Sequence, residues 1–239
     1  MERENWTSKL GFILAASGSA IGLGNIWRFP FITGTNGGAI FILIYLAAIL
    51  FIGYPILVSE MSLGRFTEKN PIGAFKKMAP NSSWPLVGAL SVLSGLVILS
   101  YYSVVAGWGI SYIFKSFIFT AQSNFPQIFS SHISSLAEPI VWHGVFMLLT
   151  IVVIGAGVVN GIQKIVKILM PILFIIMFLL IFRSVTLNGA AEGLKFYLKP
   201  DFSAVNFQTF ADAISQAFFT LSLGMGAIIT YGSYLSQKE

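Results

Sequence analysis

The chain has 239 residues, 56% of them hydrophobic and only 10% charged, with 22 Phe and a mean hydropathy of +0.82. Soluble domains carry about 25% charged residues, so this composition excludes an ordinary soluble globule and indicates a polytopic membrane protein. The absence of Cys excludes disulfides and thiolate metal sites. The net charge of +5 is spread over short breaks between apolar runs, a pattern of membrane topology, so no nucleic-acid partner is expected.

A helix that crosses a bilayer needs about 20 mainly apolar residues. Six stretches meet that measure, 10–34, 38–64, 85–118, 140–160, 165–185 and 210–235, and predict an all-α transmembrane bundle forming a single domain over 1–239. The first opens on "LGFILAASGSA", which has the apolar core of a signal peptide. Glu2 and Glu4 offset Arg3 and Lys9, however, and a signal wants a positive start. "TNGG" at 35–38 separates the first stretch from the second, and "KNP" at 69–71 and "APNSSWP" at 79–85 precede the third. The third is longer than a bilayer requires, which predicts tilt or projection beyond the membrane. A loop over 119–139 leads to the fourth stretch, and "VNG" at 159–161 reads as the turn to the fifth. The loop over 186–209 mixes amphipathic and turn residues and predicts a short helix folded back before the sixth. His132 and His143 are too isolated for a metal pair and read as structural.

Basic residues orient the bundle. With a cytoplasmic N-terminus, the inside holds Arg3, Lys9, Arg65, Lys69, Lys76, Lys77, Lys164, Lys167 and Lys238, nine residues, against Lys115, Arg183, Lys195 and Lys199 outside. That excess predicts both ends inside; a multi-pass protein of the plasma membrane is expected, with the lipid bilayer as one partner.

Two of the six stretches are interrupted. "GSAIGLGNIWRFP", residues 18–30, places three Gly, Asn25, Arg28 and Pro30 where hydrocarbon is expected. Gly and Pro hold a helix poorly, and an intramembrane Arg costs at least about 2.5 kcal/mol. One reading is a continuous helix whose Gly18–Gly22 spacing forms a packing face. The other is a broken helix, tolerated at membrane depth only where it lines protein or a watery cavity. A break exposes carbonyls that suit a hard cation and amides, with a positive helix end, that suit a carboxylate. A packing face has no need of Asn25 or Arg28. The sixth stretch, "QAFFTLSLGMGAIITYGSY", carries a comparable run of Thr220, Ser222, Gly224 and Gly226. Interrupted segments in corresponding positions of two repeats point to a transporter's binding site.

On "GSAIGLGNIWRFP", "NGGAIF" at 36–41, "SEMSLGR" at 59–65 and "FFTLSLGMGAIITYGSY" at 218–234, the chain resembles the neurotransmitter:sodium symporter family, in particular its bacterial amino-acid carriers. The resemblance implies an inverted-repeat sodium symporter fold, of which this chain supplies five helices and the discontinuous sixth. It implies two sodium ions as cofactors. The Gly18 and Ile21 carbonyls would help hold one, and the Ala20 carbonyl, Asn25 and Thr220 the other, beside the substrate carboxylate. Amides around Leu23 and Gly24 would receive that carboxylate with the Tyr102 hydroxyl. Phe219 would close over the substrate, and Ser222 and Met225 would line the pocket for its side chain. Arg28 would sit in the extracellular gate and Arg3 with Trp6 in the cytoplasmic one, while Glu60 would steady the broken sixth helix. Read from the residues alone, Tyr102 also fits an interfacial aromatic belt, Phe219 ordinary packing and Glu60 a helix cap.

Family members that carry monoamines usually have Asp where this chain has Gly22, so the resemblance implies a zwitterionic amino acid as substrate. Met225, where the leucine carrier has Phe, is flexible enough to admit varied apolar or aromatic side chains. The resemblance also implies missing C-terminal helices, on the same or a separate chain, that would complete the ion sites and pair with Arg28. A non-transporting membrane scaffold or regulatory fragment is the alternative reading. A channel would show a charge ring or filter repeat, and an intramembrane enzyme would show paired acids or a His or Cys cluster at membrane depth. No catalytic residue is therefore assigned.

Overall fold

A computed structural model of the chain describes residues 6, 8–120 and 122–235. Arg3, expected at one gate, lies outside the described residues. The described chain is helical, and hydropathy and length identify four helices able to cross a membrane: Ala39–Thr67, Trp84–Ile118, Ala137–Gly155 and Val158–Val185. A fifth span forms if the two halves Leu10–Ala20 and Gly24–Thr35, bent by 51° to one another, count together.

We label the helices in order. The first stretch gives α1 (Lys9–Ala20), started by the Ser8 side chain accepting from the Gly11 amide, and α2 (Gly24–Thr35) beyond the break. The second stretch is α3 (Ala39–Thr67), and a short α4 (Pro71–Met78) follows, capped by Asn70 and with Pro71 in its first turn. The long α5 (Trp84–Lys115) is the third stretch. Within 119–139, read from the sequence as a loop, the structure forms α6 (Phe125–Ser134), whose first amides are met by Asn124. The fourth stretch is α7 (Ala137–Gly155) and the fifth α8 (Lys164–Val185). Their separation falls at Gly157, with φ of 86°, rather than at 159–161; residues 158–163 instead form a wide helical turn running into α8. Then come α9 (Ala190–Leu198), the short helix in the 186–209 loop, α10 (Phe207–Thr220) and α11 (Ala227–Gly232).

The interrupted stretches sit at the centre. The first half of α3 packs on α10 and its second half on α11, so one unbroken helix supports both halves of a broken one. The tightest crossing is Gly on backbone: a side chain at Gly64 would strike the Ile229 carbonyl, and one at Gly232 would lie 2.5 Å from the Met61 carbonyl. Small residues let membrane helices approach this closely. Between the α2, α3 and α10 faces lie Ile32, Phe41, Tyr45, Ala48, Ala213 and Ala217. By contrast α8 leaves most of its large apolar side chains uncovered, Phe178 at 69% and Phe182 at 70% exposed. At one end of α5, Lys115 donates to Glu138 at 2.6 Å and buried His132 bonds the same carboxylate, tying α5, α6 and α7 together.

Candidate functional site

The first break begins where Ile21 turns extended (φ −95°, ψ 97°). In an unbroken helix the Leu23 N–H would donate to the Ser19 C=O. Here the Leu23 N–H donates to the Tyr102 hydroxyl at 2.9 Å, and the Ser19 C=O accepts from the Ser222 hydroxyl at 3.2 Å. The Asn25 N–H turns back to Gly22 at 3.0 Å, which deprives the Ile21 carbonyl of its helical donor. Gly22 leaves room for this arrangement, since a Cβ there would stand 2.6 Å from the Tyr102 hydroxyl oxygen. The helix resumes with a wide turn in which Phe29 N–H reaches the Gly24 carbonyl five residues back.

The second break follows Thr220. Ser222, Gly224 and Gly226 have φ of 54°, 75° and 71°, left-handed backbone that Gly adopts freely and Ser rarely. The Gly224 N–H, freed by the break, donates to Glu60 Oε1 at 2.8 Å. The other Glu60 oxygen, Oε2, is buried and has no hydrogen-bond partner among the described residues.

Two cavities flank the meeting point. One of about 250 Å³ is lined by Ser19, Ala20, Gly22, Asn25, Tyr102 and Ser222, with Phe219, Met225 and the α5 residues Gly95, Ile98 and Leu99 completing it. The other, about 890 Å³, lies against Leu23, Gly24, Trp27, Arg28, Tyr101 and Phe218 and shares Tyr102, Phe219 and Met225 with the first. Phe219 stands between them, its ring pressed on Gly24 where any side chain would collide. The Arg28 guanidinium lies 5.9 Å from the centre of that ring, donates to Gln216 Oε1 at 2.6 Å and approaches the Ser215 hydroxyl at 3.4 Å. Gln216 in turn donates to the Gly24 carbonyl and to Thr220 Oγ1, both at 3.3 Å.

The predicted residues therefore divide into groups. Ala20, Gly22, Asn25, Tyr102, Phe219, Ser222 and Met225 share the smaller cavity, while Leu23 and Gly24 line the larger one, to which Tyr102, Phe219 and Met225 also belong. Thr220 lines neither cavity; its hydroxyl oxygen accepts from Gln216 and, at 3.1 Å, from Tyr45. Gly18 faces Met170 and Val166 of α8. Trp6 lies on the other side of the break from Arg28, its N–H and indole N–H donating to the Tyr234 and Tyr231 carbonyls, each at 3.1 Å. Glu60 contacts the second break through Gly224. Sequence reasoning passed over Gln216, Tyr45 and Ser19. Gln216, fully buried and one helical turn before Thr220, is the one a search for polar residues within apolar runs would have found.

Comparison with known proteins agrees with this architecture. The family model of the sodium:neurotransmitter symporters matches residues 3–126 and 122–239. The sodium-dependent transporter YhdH of Bacillus subtilis is 44% identical over 98% of this chain, and the sodium-dependent transporter MJ1319 of Methanocaldococcus jannaschii is 41% identical over 100% of this chain. The chain covers 53% and 51% of those proteins, about half the length of each. A solved structure of MhsT in complex with L-phenylalanine superposes on the whole chain with a TM-score of 0.92 and 47% identity, the chain covering 55% of it. The chain belongs to the sodium:neurotransmitter symporter family.

Proposed function

We propose that this chain is the substrate- and ion-binding part of a sodium-coupled symporter for zwitterionic amino acids, apolar or aromatic in their side chains, in the plasma membrane with its N-terminus cytoplasmic. The observation that carries the reading is the pair of breaks facing one small cavity, with backbone groups turned out of their helices. The carboxylate enters at the Leu23 and Gly24 amides. The Tyr102 hydroxyl, which accepts from the Leu23 N–H, keeps its own proton to donate to the incoming carboxylate. The Ala20 carbonyl and Asn25 side chain hold a sodium ion against the same carboxylate, and Thr220 joins them when Gln216 or Tyr45 releases its oxygen. The Ile21 carbonyl, without its helical donor, serves a second sodium with Gly18. Relatives described as sodium-dependent transporters and the L-phenylalanine complex of MhsT support sodium and an aromatic substrate.

Phe219 and the Arg28–Gln216 pair form the lid on the extracellular side, and Trp6 against Tyr231 and Tyr234 forms the closure on the cytoplasmic side. Alternating access follows from opening one while the other stays shut. Two sodium ions moving down about 100 mV supply about 4.6 kcal/mol, enough for about a thousandfold accumulation of substrate. The test is uptake of labelled phenylalanine and leucine into proteoliposomes by the transporter at its natural length. Uptake driven by an inward sodium gradient and absent with choline is expected; uptake indifferent to sodium, or none of any amino acid, overturns the reading.

A further inference from the structure

Among the helical hydrogen bonds that the first break severs, the one from the Leu23 N–H to the Ser19 C=O has both of its ends taken by side chains from elsewhere in the chain. Tyr102 of α5 takes the Leu23 N–H, and Ser222 from the second break takes the Ser19 C=O. The two halves of this replacement are unequal. A bound carboxylate competes with Tyr102 for the amide, but it cannot replace Ser222, because a carboxylate has no proton to give a carbonyl. Ser222 is also the only described residue of that break with a side chain in the left-handed region; Gly224 and Gly226 do without one. A Ser at φ of 54° carries a backbone cost that glycine would avoid.

We infer that Ser222 is a positioning residue: its hydroxyl keeps the first break open by holding the Ser19 carbonyl, and so keeps the neighbouring carbonyls turned out for sodium while touching no ion itself. The inference rests on the sodium site proposed above and adds a regulator to it. Without the Ser222 hydroxyl, the natural donor left for the Ser19 C=O is the Leu23 N–H. Re-forming that bond restores a helical turn across residues 19–23 and withdraws the Ala20 and Ile21 carbonyls. The second break thereby controls whether the first can take its ion, and sodium binding reports on both.

The experiment measures labelled-phenylalanine binding against sodium concentration in the reconstituted transporter at its natural length. Losing one net hydrogen bond of about 1 kcal/mol, Ser222→Ala raises the sodium concentration for half-maximal binding about fivefold, and excess sodium recovers the binding. Ser222→Asn, which tolerates left-handed backbone and restores a donor, moves the sodium dependence back toward the parent. If Ser222→Ala does not fold, Ser222→Gly removes the same hydroxyl while relieving the backbone, and the same shift is expected. A loss of affinity that sodium does not recover, or an unshifted sodium curve, overturns the inference. Sodium-independent binding by the unsubstituted protein instead overturns the proposed function.

Discussion

At Gly22 the missing side chain has a definite use, because a Cβ would meet the Tyr102 hydroxyl at 2.6 Å. Gly22→Ala displaces Tyr102 and breaks its bond to Leu23, so amino-acid affinity should fall at least about tenfold, one hydrogen bond to a charged group being worth about 1.5–3 kcal/mol. Isothermal titration or scintillation proximity binding reads this directly; unchanged affinity would detach Tyr102 from the substrate. Arg28 is the costliest residue in the first stretch, and its visible compensation is Gln216 and Ser215. Gln216→Leu removes a hydrogen bond to a charged group and should lower the apparent melting temperature in detergent, whereas Gln216→Glu should largely retain it. Arg28 was legible in the sequence because a charge interrupts an apolar run. Gln216 stood out only as a polar residue in an apolar run, and its role was not legible because Arg28 and Gly24, which it joins, lie about 190 residues away.

Among the helices, α3 does the most organising. It supports α10 with one end and α11 with the other, and its Glu60 caps the Gly224 amide between them. Glu60→Gln keeps a side-chain oxygen that can accept from Gly224, while Glu60→Leu leaves that amide bare at membrane depth. Amide hydrogen exchange at Gly224 should stay slow in the first variant and accelerate in the second. Gly64→Val should separate α3 from α11 and destabilise the bundle, since the added side chain meets the Ile229 carbonyl. The breaks themselves were legible, because Gly, Asn and Ser in an apolar run disrupt both hydropathy and helix propensity. α4 and α6 were not, because each opens on an Asn with Pro in its first turn, and those residues read as turn signals. The boundary between α7 and α8 was misplaced for a related reason: "VNG" carries a turn signal, yet Gly157 alone takes the left-handed φ that ends the helix.

For the whole molecule, the broad apolar exposure of α5, α7 and α8 is what a lipid-facing surface requires, and it is the reason composition alone identified the fold class. The same composition says nothing of how α1, α2, α10 and α11 meet, which depends on contacts between residues about 200 positions apart. The proposed function makes the whole molecule a linkage device: with sodium and an amino acid placed in one opening between two broken helices, each should strengthen the other by the same factor. The most direct test is equilibrium binding of labelled phenylalanine to the purified transporter in sodium and in potassium at equal ionic strength. Saturable binding that appears in sodium and disappears in potassium is the predicted result. Equal binding in the two salts would contradict it.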